Sequence, residues 1–239
     1  DLLEKLSKKL DSIYMSKGKA LLQQIKNSLP VEDMLLRHYL DYKYFTVVVV
    51  RSGALPSRFG NNFTLQGCES FLSVDPYQLR QQCGLNGCFI LDGRDKNEII
   101  VVSGHTICDM KAAVNISEIV YSLSSKSSPF LTIVYSSPFH DINQLPVIIQ
   151  NLQKALSEHL IIGKNQILDY NNMQNICRLI PPILDSSLEN KLSLLIQGKS
   201  LELLKSELNK IFKTLEQQSH PQIYVDKILK QIMRLVVKN

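Results

Sequence analysis

The sequence predicts an α+β protein in which one mainly antiparallel sheet carries helices on a face. Three observations predict it. Short runs rich in β-branched residues, such as YFTVVVVR at 44–51, alternate with stretches whose apolar residues recur every three or four positions. Two apolar runs, Cys88–Leu91 and Ile99–Ser103, flank the polar stretch DGRDKNE and read as a β-hairpin. Glycine (10) and proline (9) are few among 239 residues, which favours long regular elements.

Residues 1–29 read as an amphipathic signalling helix. Leu3, Leu6, Leu10, Ile13, Lys17, Ala20 and Gln24 fall on alternating spacings of three and four, a seam that is apolar for two heptads and then decays. Two readings stand. One is a short dimeric coiled coil with Leu3, Leu6, Leu10 and Ile13 at the dimer interface. The other is a helix packed on its own domain. Gly18 is expected to break the helical pattern.

Residues 30–180 supply the sheet. VEDMLLRHYL at 31–40 is helical in pattern and precedes the strand YFTVVVVR. SRFGNNFTLQG at 57–67 reads as a loop, or a loop leading into a helix, and ESFLSVDPYQLRQQC at 69–83 as partly helical with Pro76 interrupting. After the hairpin, residues 109–126 predict a helix with a loose apolar face of Met110, Val114, Ser117, Ile119 and Tyr121. SSKSSP stops it, and FLTIVYSS at 130–137 is a strand. Leu145–Leu160 is a helix with Leu145, Ile148, Ile149, Leu152, Leu156 and Leu160 on one stripe, ended by Gly163, and NQILDY is a closing strand. The predicted order is β, α, ββ, α, β, α, β.

Residues 181–239 predict a small three-helix bundle, set off by Pro181-Pro182. Ser186-Ser-Leu-Glu189 has the spacing of a capping box, and Gly198 is placed to stop that helix. Ser200 can cap the second helix, whose stripe is Leu201, Leu204, Leu208, Ile211, Phe212 and Leu215. His220-Pro221 opens the third, with Ile228, Leu229, Ile232, Leu235 and Val236.

The net charge of +5 comes from the two ends: residues 1–28 hold six basic and three acidic groups, residues 29–182 hold 12 and 13, and residues 183–239 hold nine and six. Neither end has a Lys/Arg block, which argues against direct DNA binding by this chain. The five cysteines (68, 83, 88, 108, 177) include no CxxC pair and read as reduced thiols in a cytoplasmic protein. No apolar run approaches the ~18 residues of a membrane span. The chain opens on Asp1 inside a helical pattern, and the expectation is a piece of a longer protein whose missing N-terminal part supplies any membrane tether.

GxxxxGK, GxGxxG and GxSxG do not occur. His105-Thr-Ile-Cys108 has the spacing of one metal-ligand pair, but no second pair accompanies it, so no metal is expected. Cys83 and Cys88 read as small core residues. Ser136-Ser-Pro-Phe-His140-Asp141 gathers Ser, His and Asp in one loop, whereas triad members normally converge from distant positions, so a strand-to-helix turn is expected. The hairpin tip holds three carboxylates within seven residues, Asp92, Asp95 and Glu98. Asp92 and Asp95 are therefore the candidates for holding Mg²⁺ beside a nucleotide phosphate. The competing reading is that Asp92-Gly93 is plain turn chemistry.

The segment from YFTVVVVR to GKNQILDY, through CFILDGRDKNEIIVVSG and FLTIVYSSPFHDINQLPVIIQNLQKAL, resembles the GGDEF-like domain of bacterial AraC-type (YesN-like) transcription regulators. That domain shares the nucleotidyl-cyclase fold of diguanylate cyclases. Glu189, Leu192, Ile196, Gly198 and Lys199 fit the helical linker that such regulators place next, before a DNA-binding domain with two helix-turn-helix units. Active cyclases carry Gly-Gly-[Asp/Glu]-Glu-Phe on the hairpin; here the tip reads Asp92-Gly-Arg-Asp-Lys-Asn97, and the first strand is followed by Arg51-Ser-Gly-Ala without a metal-binding aspartate. The resemblance thus implies a degenerate cyclase fold with no catalytic residues and no cofactor. It implies a homodimer that relays a signal from an upstream sensor or receiver domain to DNA through a domain absent from this chain. The rival expectation is a nucleotide-binding or cyclase-like domain with a divergent site on the 92–98 hairpin. A protein-binding scaffold is a third.

Overall fold

The computed structural model describes residues 2–56, 74–84, 87–124, 130–173 and 184–238, with side chains from Ser12 onward in the first helix. It separates into two units, Asp1–Leu156 with Gly163–Asn175, and Ser157–Ile162 with Ile176–Asn239. The boundary predicted at Pro181-Pro182 and the 57–67 segment lie outside the described residues.

The first unit is built on a five-stranded mixed sheet in the order β2-β3-β1-β4-β5. Its strands are β1 (Tyr44–Ser52), β2 (Cys88–Asp92), β3 (Glu98–His105), β4 (Leu131–Tyr135) and β5 (Gln166–Asp169). The pairs β1/β3, β1/β4 and β2/β3 are antiparallel, while β4/β5 is parallel across a helical crossover. The helices of this unit are α1 (Leu2–Lys26), α2 (Asp33–Tyr39), α3 (Pro76–Cys83), α4 (Ala112–Ser124), α5 (Leu145–His159) and the single turn α6 (Tyr170–Met173). From β1 onward the succession β, α, ββ, α, β, α, β is the one the sequence predicts, with α6 added.

The helices lie on both faces of the sheet, where the sequence reading expected one. Side chains alternate along a strand, so Val48, Val50, Val101, Leu131 and Ile133 share a face. That face packs on Leu79 of α3 and on Ala113, Ile116 and Val120 of α4. The opposite face carries Val47, Val49, Ile100, Val102 and Phe89. There α1 meets Phe89, and Gln153 of α5 reaches Glu98. Burial on both faces explains why Val47–Val50 in the middle of β1 run without polar alternation.

Several local expectations are corrected. Gly18 does not break α1: the helix runs through it, and a Cβ there would stand 2.6 Å from the Phe89 ring. Close approach of helix to strand is what the position requires. The side of α1 that packs on its own sheet is Leu21, Leu22 and Ile25, whereas the seam position Ile13 is 49% exposed. The side chains of Leu3, Leu6 and Leu10 lie outside the described set. Pro76 opens α3 at its first turn, where a missing N–H costs nothing, and the Asp75 side chain caps it by accepting from Tyr77 N at 2.9 Å. On α4 the buried stripe is Ala113, Ile116, Ser117, Val120 and Ser124; Met110 precedes the helix and is 66% exposed.

The second unit holds α7 (Ser186–Gln197), α8 (Leu201–Gln218) and α9 (Gln222–Lys238). Leu184, Leu192, Ile211, Leu215, Ile228 and Ile232 form its core. The residues Ser157–Ile162 belong with it, and Gln222 N donates to the Leu160 carbonyl at 2.8 Å. The N-cap of α7 is Asp185, one residue before the predicted box, and it accepts from Leu188 N at 2.8 Å. A carboxylate gains from the positive end of the helix as a hydroxyl does not, which favours Asp185 over Ser186. Ser200 occupies the N-cap position of α8 without a side-chain cap bond, and Leu201 and Phe212 are exposed.

The Gly18 contact makes a prediction. Gly18→Leu should lower stability by about 1–3 kcal/mol through overpacking against Phe89. That cost outweighs the roughly 1 kcal/mol of helix propensity gained. Urea unfolding of the two proteins measures it.

Candidate functional site

The β2–β3 hairpin and the end of β1 form a charged centre around Arg51. Register brings it about: Arg51 lies directly opposite Glu98 in the β1/β3 pair, on the face shared with α5. The Arg51 side chain is 2% exposed and that of Glu98 0%. A pair this buried needs every donor and acceptor used.

They are used. Arg51 Nη2 bonds Asp95 Oδ2 at 3.0 Å, and Nη1 stands 3.5 Å from Glu98 Oε2. Its Nε and Nη2 also donate to the Ala54 carbonyl at 3.1 and 3.0 Å. Arg94 closes over Glu98 from the hairpin itself, with Nη2 to Oε2 at 2.6 Å, Nε to both oxygens, and its backbone N to Oε1 at 3.1 Å. Gln153 Nε2 donates to Oε1 at 2.6 Å. Two guanidiniums thus match two carboxylates, and a helix is tied to the sheet through one of them.

The turn is organised by the same residues. Asp95 Oδ1 accepts from Asn97 N at 2.9 Å, Glu98 N donates to the Asp95 carbonyl at 3.0 Å, and Gly93 N to the Glu98 carbonyl at 3.0 Å. A Cβ on Gly93 would lie 2.4 Å from that carbonyl oxygen. Asp92 is exposed, and its backbone carbonyl accepts from Lys26 Nζ.

Of the two candidates read from sequence, Asp95 belongs to this centre and the Asp92 side chain does not bond within it. Sequence reasoning named Glu98 among the three tip carboxylates but did not take it forward, and it missed Arg51 as a partner. An arginine ending a run of four valines was the available signal. A buried strand end seldom carries a cation without a fixed counter-charge.

The remaining chemistry-bearing motifs have structural places. Ser136 Oγ accepts from Val47 N at 3.0 Å, Asp141 Oδ1 accepts from Asn143 N at 3.0 Å, and His140 packs its ring 4.2 Å from that of Tyr44. This is a strand-to-helix turn. The thiols of Cys83 and Cys88 hydrogen-bond each other, which lowers the pKa of Cys83 and, together with burial, raises that of Cys88. Cys108 is exposed, and His105 ends β3. Among the described residues no group of three or more His, Cys, Asp or Glu is placed to hold a metal ion. Nor is any helix among them long and apolar enough to cross a membrane.

No protein-family model matches the chain, and a search of curated proteins finds no significant match.

Two outcomes are expected. Gly93→Ala should destabilise the fold by about 1–3 kcal/mol, because its methyl cannot fit against the Glu98 backbone. Burial lowers the pKa of His105, against a smaller opposing pull from Asp109. The unfolded chain then binds a proton that the folded chain refuses, so this contribution to stability is intact above about pH 6.5 and is lost as pH falls through the unfolded value. Urea midpoints between pH 7.5 and 5 should fall, and less so in His105→Asn.

Proposed function

We propose that the chain is a non-catalytic regulatory and dimerisation region of an AraC-type transcription regulator. In this reading a degenerate GGDEF-like domain and a helical linker relay an upstream signal to a DNA-binding domain outside the chain. The observation that carries it is the Arg51 guanidinium seated on Asp95 and Glu98 at the hairpin tip. In a nucleotide-binding hairpin those carboxylates would face a divalent cation and a phosphate. Here their charge is already met by Arg51 and Arg94, and a metal ion brought to them would stand against two fixed cations. The element order and the largely antiparallel sheet support the cyclase-like reading of the fold.

With no reaction to run, the domain acts through geometry. A signal arriving along α1 shifts the balance between two arrangements of a dimer, and the linker passes the difference on. The exposed Ile13, away from the face of α1 that packs on its own sheet, supports a partner on that side of the helix.

Two measurements test this. Calorimetry with GTP and Mg²⁺ should show no saturable heat; saturable binding that Asp95→Asn removes would favour a nucleotide sensor instead. Light scattering should give a dimer mass for the chain and a monomer mass for Leu6→Asp/Leu10→Asp. An unaltered dimer in that variant would overturn the role of the seam.

A further inference from the structure

At the other end of β1 and β3, away from the hairpin tip, His105 forms the floor of a cavity of about 310 Å³. The cavity lies between the last turn of α3 and the first turns of α4. The polar groups among its described lining are Gln82, Cys83, His105, Asp109, Asn115 and Glu118. No lysine or arginine is among them.

The imidazole is positioned by two hydroxyls that are themselves fully buried, Thr46 and Ser103. Thr46 Oγ1 and Ser103 Oγ are 2.6 Å apart, and His105 Nε2 stands 2.8 Å from Ser103 Oγ and 3.2 Å from Thr46 Oγ1. Among the described residues these three atoms have no other hydrogen bond, so their protons can be counted. If Nε2 accepts, Thr46 donates to Ser103, Ser103 donates to Nε2, and every proton is used. If Nε2 carries the proton, one buried hydroxyl hydrogen is left without an acceptor, which is costly. Counting therefore places the ring proton on Nδ1. That nitrogen has no hydrogen-bond partner among the described residues, although the residue is only 8% exposed.

His105 lines the cavity together with Asp109 and Glu118, so the Nδ1–H is the donor that the imidazole has left to offer beside two carboxylates. Asp109 Oδ1 is engaged by Lys111 N at 2.8 Å, which leaves its second oxygen for a ligand. Anions are excluded by the charge of Asp109 and Glu118 with no cation among the lining to offset it. A bare amine would satisfy the carboxylates and leave the imidazole N–H unmet.

We propose that this cavity is a binding site for a small uncharged nitrogenous molecule that sets a hydrogen-bond acceptor beside an N–H donor, as a primary amide does. The acceptor takes the His105 Nδ1 proton, and the N–H group faces Asp109 or Glu118. The volume suits a ligand of one ring. Bound there, it touches α3 and α4 together, the two helices that pack on one face of the sheet. The site is separate from the hairpin, so its test does not depend on whether nucleotides bind.

A matched pair of probes decides it. Nicotinamide carries the required amide; nicotinate is the same ring with a carboxylate in its place. The full chain, labelled with ¹⁵N-histidine, is titrated with each while the His105 ring nitrogens are followed by NMR. Nicotinamide should shift them saturably, and nicotinate should bind at least tenfold more weakly. Asp109→Asn/Glu118→Gln, both at exposed positions, should keep the fold and erase that discrimination. Absence of saturable nicotinamide binding, equal binding of the two probes, or discrimination that survives in the double variant would each overturn the proposal.

Discussion

The rest of the sheet domain depends on the ionic contact between Arg51 and Glu98. Removing two such groups from water costs several kcal/mol each, and a set of bonds from fixed partners is needed to recover it. The fold supplies that set from four places: the end of β1, the hairpin tip, the Ala54 carbonyl just past β1, and Gln153 on α5. Each supplier must sit correctly for the pair to be tolerated. The contact therefore fixes the β1/β3 register at its end and sets the rotation of α5 against the sheet. It also shapes the turn, because Glu98 is the residue whose backbone Gly93 approaches so closely.

One consequence concerns function. Carboxylates on a hairpin are useful for metal or phosphate chemistry only while their charge is uncommitted. Here it is committed within the chain, and the tip is held in a closed, neutral arrangement. In the proposed reading, that arrangement suits transmission of geometry and not turnover. The opposite end of the same two strands is built differently. There the His105 imidazole, bonded to two hydroxyls, lines an open cavity, and its Nδ1 has no hydrogen-bond partner among the described residues. The sheet thus carries a sealed end and an open one.

Periodicity made the helices legible. On α5, Leu145, Ile149, Leu152 and Leu156 are buried as the stripe requires, and in the bundle so are Leu192, Ile211, Leu215, Ile228 and Ile232. The hairpin was legible because a polar tip between two apolar runs has few other solutions. Less legible was which side of α1 faces inward. The Ile13 seam and the Leu21, Leu22, Ile25 face are both apolar in sequence, and only packing on Phe89 selects between them. The second covered face of the sheet was written in the four consecutive valines of β1, a run that alternation on one buried face does not produce. The charged centre was hidden for a different reason. Arg51 lies 44 and 47 residues from its partners, and no local pattern links residues that meet only through register. The Thr46–Ser103–His105 cluster was hidden in the same way.

The most direct test of the account is a double-mutant cycle on the ionic contact, using Arg51→Met, Glu98→Met and the double variant in urea unfolding. The account predicts that Arg51→Met alone costs about 1–3 kcal/mol, since Glu98 keeps Arg94 and Gln153 but loses its buried cation. The double variant should then cost less than the sum of the singles by more than about 1 kcal/mol. Additivity within about 0.5 kcal/mol would contradict it, because the two groups would then be independent and the hairpin tip would owe its closure to something else.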